Sequence, residues 1–219
     1  MDPEMKYLCF DVETSGLPDY AAPADDPCQP RLAQFTGHLI DDDLRTTDTL
    51  NYLVQPDGWE MTPEATAVNG LTTEHLREHG APIKDLLTWY TSTIQAGYVP
   101  VSFNVRHDCK IFRGELRRAG MDDLFAITPN ICLMRASWAK EIGMVKADGT
   151  RRGWPKLSDA CRHFEIDIGE AHTAHGDAAA HLALFLKLHA GGHLPEASVH
   201  YAKDKPQTDK QVALPGMDF

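Results

Sequence analysis

Tyr7-Leu8-Cys9-Phe10-Asp11-Val12-Glu13-Thr14-Ser15-Gly16-Leu17 is the stretch that decides how the rest of the chain is read. An apolar run leads into two acids one residue apart. In a strand, side chains alternate between faces with a rise of about 3.3 Å per residue. Asp11 and Glu13 therefore project from one face, roughly 7 Å apart. Two carboxylates so placed repel each other and resist burial unless a cation lies between them. Hard divalent cations such as Mg2+ or Mn2+ take oxygen ligands of this kind. The competing reading is a solvated strand end carrying two surface acids, and the rest of the chain has to decide between the two.

A second segment reads Val99-Pro-Val-Ser-Phe103-Asn104-Val-Arg-His-Asp108, followed by Cys-Lys-Ile-Phe112-Arg-Gly-Glu-Leu116. Its β-prone start, 99–103, passes into helical periodicity. Asp108, Phe112, Leu116 and Ala119 fall on one helix face. An acid sharing an apolar face points inward, where a lone carboxylate is costly. The plainer account is an acid placed near a helix N-terminus by the dipole. A third segment, Ala171-His172-Thr173-Ala174-His175-Gly176-Asp177-Ala178, opens an amphipathic helix to about residue 190, with Thr173 as its N-cap. His172 then stands on the preceding loop and Asp177 near the first turn.

In that order, Asp-x-Glu, Asp and His-x4-Asp resemble the DEDDh (DnaQ-like) 3′–5′ exonucleases, and among them the proofreading subunit of bacterial DNA polymerase III. The resemblance covers roughly residues 6–190 and includes Pro30–Gly37 and Thr62–Thr72 between the motifs. It implies a three-layer α/β/α, RNase H-like fold with a five-stranded mixed sheet whose second strand is antiparallel. It implies that Asp11, Glu13, Asp108 and Asp177 hold two Mg2+ (or Mn2+) ions and that His172 is the general base. Thr14, Leu17, Phe103 and Asn104 fall on substrate-binding positions, Leu17 as an apolar wedge. Ser15 stands where the family has Thr. Phe103-Asn104-Val-Arg-His107-Asp108 departs further from His-Asn-x-x-Phe-Asp: the acid is kept, while Phe103 replaces a histidine and His107 a phenylalanine. An aromatic at 103 can stack on a base, a contact of ~1–3 kcal/mol.

The activity this implies is stepwise release of nucleoside 5′-monophosphates from DNA 3′ ends, single-stranded or frayed, in proofreading or repair. An RNA-trimming enzyme on the same fold is the alternative, because DNA and RNA are told apart by a 2′-hydroxyl contact that no short motif specifies. A catalytically silent nucleic-acid-binding module is a third reading, and it has no need of four acids and a histidine. A zinc site built from His172, His175, Asp177 and His181 would leave the distant carboxylates unexplained, so His175 and His181 read as surface or packing residues.

Length and composition agree. A chain of 219 residues with 42% hydrophobic content supports one domain, 1–190, with a polar, flexible tail over 191–219. No apolar run reaches the ~18 residues of a membrane span and no signal-peptide pattern opens the chain, so the expected setting is cytoplasmic. The five cysteines contain no C-x-x-C pair, which argues against a disulfide framework. Net charge is −11, unusual for a nucleic-acid enzyme, yet residues 110–156 carry 10 basic and 5 acidic groups. Arg113, Arg117, Arg118, Arg151, Arg152 and Lys156 are the candidates for phosphate contact. The tail contains Gln211-Val-Ala-Leu214, which looks like a sliding-clamp-binding peptide of replication proteins, so a clamp or a polymerase subunit is the candidate partner.

Periodicity places strands near 6–12, 31–40, 49–55 and 99–103. Helices are expected near 63–68, 82–96, 106–119, 132–141, 156–163 and 174–190. Asp19 to Pro30 reads as a loop at the rim of the site, and 147–155 as a second loop.

Overall fold

The computed structural model describes residues 5–136, 154–167 and 174–199, and of residues 126, 174, 175 and 177 the backbone alone. Five strands form one mixed sheet in the order β3-β2-β1-β4-β5. They are β1 (Lys6–Thr14), β2 (Leu32–Ile40), β3 (Thr46–Leu53), β4 (Tyr98–Ser102) and β5 (Ile131–Cys132). β2 is antiparallel to both of its neighbours, and β4 runs parallel to β1 and to β5. The helices are α1 (Pro63–Asn69), α2 (Thr73–His79), α3 (Ile83–Gln95), α4 (Val105–Arg118), α5 (Leu157–His163) and α6 (Ala174–Ala190).

The alternation of β1 divides the core into two. Leu8, Phe10 and Val12 face a cluster shared with α3 and α4, where Phe10 packs against Tyr90 and Phe112. Tyr7 and Cys9 face the opposite cluster, with Ala160 of α5 and Leu184, Phe185 and Leu188 of α6. Helices thus cover both faces of the sheet, in the α/β/α layering expected for parallel strands that are buried on both sides.

Local chemistry explains the short elements. Thr62 caps α1 by accepting from the Ala65 amide at 3.1 Å, Pro63 fits the first turn, and Gly70 ends it at φ 73°. Thr72 caps α2 in the same way through the His75 amide. That helix is absent from the sequence reading. The expected helix at 132–141 is corrected at its start: Ile131 and Cys132 pair with Val101 and Ser102 as β5, and Leu133–Arg135 form one 3-10 turn. Two residues are too few to carry a period. Beyond the long helix α6, Ser198 exchanges two backbone hydrogen bonds with Asn130 (2.8 and 3.0 Å), which ties residues 191–199 to the body beside β5.

Candidate active site

Asp11 and Glu13 continue the face of β1 that Tyr7 and Cys9 bury, and both are half-exposed where the strand runs out from under α6. Their cross-strand neighbours are Thr36 and Gln34. A register shift between Glu13 and Thr14 then bends the chain. Ser15 fixes the bend: its hydroxyl accepts from the Arg31 amide at 2.8 Å and its own amide donates to the Arg31 carbonyl at 2.9 Å. Asn69 reaches across from the end of α1 and donates to the Thr14 carbonyl at 3.3 Å. The hydroxyl at position 15 is thus used in the backbone turn that follows the two acids. Leu17, two residues on, is 92% exposed.

Asp108 arrives from another element. It lies in the first turn of α4, which follows β4 after the two connecting residues Phe103 and Asn104, and it is buried. The hydroxyl of Ser102, the last residue of β4, donates to Asp108 Oδ2. Burial pushes the Asp108 carboxyl up to about 7; the Ser102 hydroxyl and its own backbone amide oppose this, and the charge of Glu13 adds to it. A carboxylate held in the core beside a second carboxylate is what a bound cation would offset. Among the described residues, however, no three His, Cys, Asp or Glu side chains already converge on one point.

α6 supplies a further side. Asp177 occupies its first turn, one turn before His181. His181 is buried with Nδ1 3.8 Å from Asp11 Oδ1 and 3.4 Å from the Phe10 carbonyl. Burial pushes its imidazole down to about 4, so at neutral pH it is uncharged and its contact with Asp11 is not an ion pair. Its ring stacks on Phe103, with centroids 6.0 Å apart. Ser102 did not stand out in the sequence, and His181, expected there as a surface or packing residue, is a buried one packed beside Asp11. A hydroxyl at the end of a buried strand and a histidine one turn after Asp177 were the signals available. His172, Gln211 and Leu214 lie outside the described residues, as do Arg151 and Arg152.

Two clefts open beside the acids. One, of about 290 Å3, is lined by Glu13, Thr14, Leu17, Ala65, Val68 and His107. The other, of about 430 Å3, is lined by Tyr20, Phe103, Asn104, Arg106, Arg135 and Trp154 among others. Phe103 is buried, with only its edge on the second cleft.

The sequence model of the exonuclease family (RNase T type) matches residues 8–185, a span that holds Asp11, Glu13, Asp108, Asp177 and His181. The chain belongs to the exonuclease family. These are 3′–5′ hydrolases of the DEDD type. The fold agrees with this membership. E. coli exonuclease I in complex with a dT13 oligonucleotide superposes with a TM-score of 0.68 at 20% identity, covering 84% of this chain and 40% of that one. A moderately thermophilic exonuclease I from Methylocaldum szegediense gives 0.64 at 21% identity, covering 85% of this chain and 41% of that one. A complex of exonuclease I with SSB-Ct gives 0.63 at 19% identity, with 85% and 41% covered. The chain therefore spans about two fifths of the length of these exonuclease I structures. No curated protein matches it in sequence.

Within this exonuclease-family domain Arg113, Arg117 and Arg118 of α4 are engaged by acids of the fold, which corrects the expectation of phosphate contact for these three. Arg113 is buried and pairs with Asp123 at 2.8 Å. Arg117 pairs with Asp123 at 2.8 Å and with Asp25 at 3.4 Å. Arg118 lies 3.3 Å from Glu115, which also takes a two-pronged contact from Arg31 at 2.7 and 2.9 Å. They form the seam between α4, the 19–30 loop and the loop after α4. Lys156 is exposed at the start of α5, its backbone amide donating to Asp159 at 3.0 Å. Among the described residues no helix is long and apolar enough to cross a membrane.

Proposed function

We propose that this chain is a metal-dependent 3′–5′ exonuclease that removes nucleotides singly from DNA 3′ ends and releases nucleoside 5′-monophosphates. The observation that carries the reading is the approach of Asp108, in the first turn of α4, to the Asp11 and Glu13 pair of β1, close enough that the Glu13 charge raises the Asp108 carboxyl. The acids of these two elements lie at the carboxyl ends of the parallel strands β1 and β4, in a chain of the exonuclease family. Crevices at the carboxyl ends of parallel strands are where open α/β sheets place their ligands.

In this reading Asp11, Glu13, Asp108 and Asp177 hold two Mg2+ or Mn2+ ions. Bound there, the cations supply an activated water and compensation for the charge on the departing 3′-oxygen. The terminal nucleoside occupies the cleft between Thr14, Leu17 and Val68, where the exposed Leu17 and Val68 side chains grip its base and sugar. Phe103 and Asn104 bound the acids on the opposite side. His172 takes the proton from the water as its oxygen bonds to phosphorus; the P–O3′ bond breaks, and the departing 3′-oxygen takes a proton from solvent to become the new terminal hydroxyl. An imidazole with an ordinary value near 6.5 can accept that proton at neutral pH.

Single-stranded DNA is favoured as the substrate because a related fold, E. coli exonuclease I, is seen with a dT13 oligonucleotide. A proofreading or repair role would be served by docking of residues 211–219 on a sliding clamp through Gln211 and Leu214. A pull-down with a bacterial clamp, with Gln211→Ala and Leu214→Ala as controls, tests that partner. The activity itself is tested by digesting matched, 5′-labelled DNA and RNA oligonucleotides, single-stranded and mismatched, with Mg2+, with Mn2+ and with EDTA. A ladder that shortens from the 3′ end, needs the cation and is lost in Asp11→Ala is the expected result. Full activity of Asp11→Ala would overturn the assignment, and a faster ladder on RNA would give the trimming reading in its place.

A further inference from the structure

We infer that the cleft framed by Tyr20, Arg106, Arg135 and Trp154 is a second nucleotide subsite, which holds the part of a single strand on the 5′ side of the scissile phosphate. The inference rests on the exonuclease reading above and adds to it a specific path for the strand.

Position is the first argument. Tyr20 lines this cleft and His107 lines the carboxylate cleft, and the two share a hydrogen bond, Oη to Nδ1, at 3.2 Å. The pair is a wall common to both. Phe103 and Asn104, also in the second cleft, immediately precede the helix that carries Asp108. A strand with its terminal nucleoside against Leu17 and its scissile phosphate over the acids meets this cleft next. Its volume of about 430 Å3 lies within the ~300–1,000 Å3 of ligand sites.

Charge is the second. Every other arginine among the described residues has a carboxylate partner at 3.4 Å or closer. Arg106 and Arg135 have none among the described residues, and each guanidinium lies instead over an aromatic ring: Arg106 4.7 Å from the Tyr20 centroid, Arg135 5.8 Å from that of Trp154. Two cations with no acid partner among the described residues, on a chain of net charge −11, mark the cleft as a place for phosphate. Rings beside them offer stacking faces that accept any base. Trp154 is 55% exposed and Tyr20 37%, large apolar area for a folded domain to leave in water.

Preorganisation is the third. Tyr20 sits on the 19–30 loop, which is built and anchored. Gln29 Nε2 donates to the carbonyls of Asp19 at 2.7 Å and Pro23 at 2.9 Å, and its Oε1 accepts from the Asp19 amide at 3.1 Å. Lys110, buried in α4, donates to the Ala22 carbonyl. The loop presses so closely on α4 that a Cβ on Gly114 would lie 2.3 Å from the Ala24 carbonyl oxygen. A ring held this firmly loses little freedom when a base stacks on it.

The test compares two substrates in wild type, Trp154→Ala and the double variant Arg106→Gln/Arg135→Gln. One is a 5′-labelled single-stranded dT oligonucleotide. The other is the nitrophenyl ester of thymidine 5′-monophosphate, which reaches only the terminal cleft. KM for the oligonucleotide is expected to rise about tenfold in Trp154→Ala, with kcat/KM for the ester at the wild-type value. In the double variant the salt slope of oligonucleotide binding, read by fluorescence anisotropy in EDTA, should fall by about 1.4 for two lost contacts to a single strand. Unchanged oligonucleotide KM and slope would overturn the proposal, as would equal losses on both substrates. Should wild type hydrolyse neither substrate, the exonuclease reading fails, and the anisotropy in EDTA still decides the cleft: weaker binding by the variants supports it and equal binding refutes it.

Discussion

The hydroxyl of Ser102, at the end of β4, donates to a carboxylate oxygen of Asp108, six residues later and already inside α4. Both residues are buried, so this donor is part of what keeps a charge tolerable in the core. Removing it in Ser102→Ala leaves the carboxylate harder to ionise and cation binding correspondingly weaker. A hydrogen bond to a charged group contributes roughly 1.5–3 kcal/mol, so the Mg2+ concentration for half-maximal activity should rise on the order of tenfold or more. Titration of oligonucleotide hydrolysis with Mg2+ reads this directly; an unchanged midpoint would show that the Ser102 bond is without consequence for the metal site.

Asp108 itself gives a pH signature in the metal-free protein. Its carboxyl stands at about 7 in the fold against an ordinary 3.8, so the folded state holds a proton that the unfolded chain has already released. Stability from this group is greatest below pH ~4 and falls as pH rises towards 7, by at most about 4 kcal/mol. In EDTA, Asp108→Asn should flatten that fall in Tm between pH 4 and 8. Mg2+ or Mn2+ added at pH 8 should raise the Tm of wild type and leave that of the variant nearly unmoved, while oligonucleotide hydrolysis is lost.

The sheet could be read from the chain because β1, β2 and β4 carry long apolar or alternating runs bounded by turn residues. Their faces followed from the period of two: Asp11 and Glu13 do share a face with Tyr7 and Cys9. Asp108 likewise lies on the buried side of its helix with Phe112 and Leu116. What stayed hidden was set by tertiary contact. β5 is two residues long, and α2 depends on the Thr72 cap and on Leu76 meeting Ala33 and Leu71. Arg113, Arg117 and Arg118 of α4 looked like a phosphate-binding face, because Asp25 and Asp123 come to them through folding; only Glu115, three residues before Arg118, was within reach of a helical-spacing argument. Conversely, Arg106 and Arg135 looked ordinary until the rings beneath them were in view.

Gly114 offers a way to move the 19–30 loop without touching the acids. A methyl group there would collide with the Ala24 carbonyl, a backbone atom that cannot swing aside. Gly114→Ala should lift the loop from α4, at a cost of ~1–3 kcal/mol typical of overpacking. Thermal denaturation would show the loss, and limited proteolysis should cut between residues 19 and 30 sooner than in wild type. A variant with wild-type Tm and digestion pattern would mean that the loop yields freely, and that the anchoring through Gln29 and Lys110 matters little.

The proposed division of labour between His172 and the acids is separable by experiment. His172→Ala removes a proton acceptor and no cation ligand, so hydrolysis should slow by roughly 10²–10⁴-fold. The Mn2+-induced rise in Tm should persist in this variant, because the four carboxylates are intact. Asp177→Ala should lose both the activity and most of that rise. The decisive comparison is Tm with and without Mn2+ for the two variants alongside single-turnover cleavage of an oligonucleotide. If His172→Ala lost the Mn2+ response as completely as Asp177→Ala, the histidine would be a ligand, and the base would have to be sought among the other groups facing Asp11.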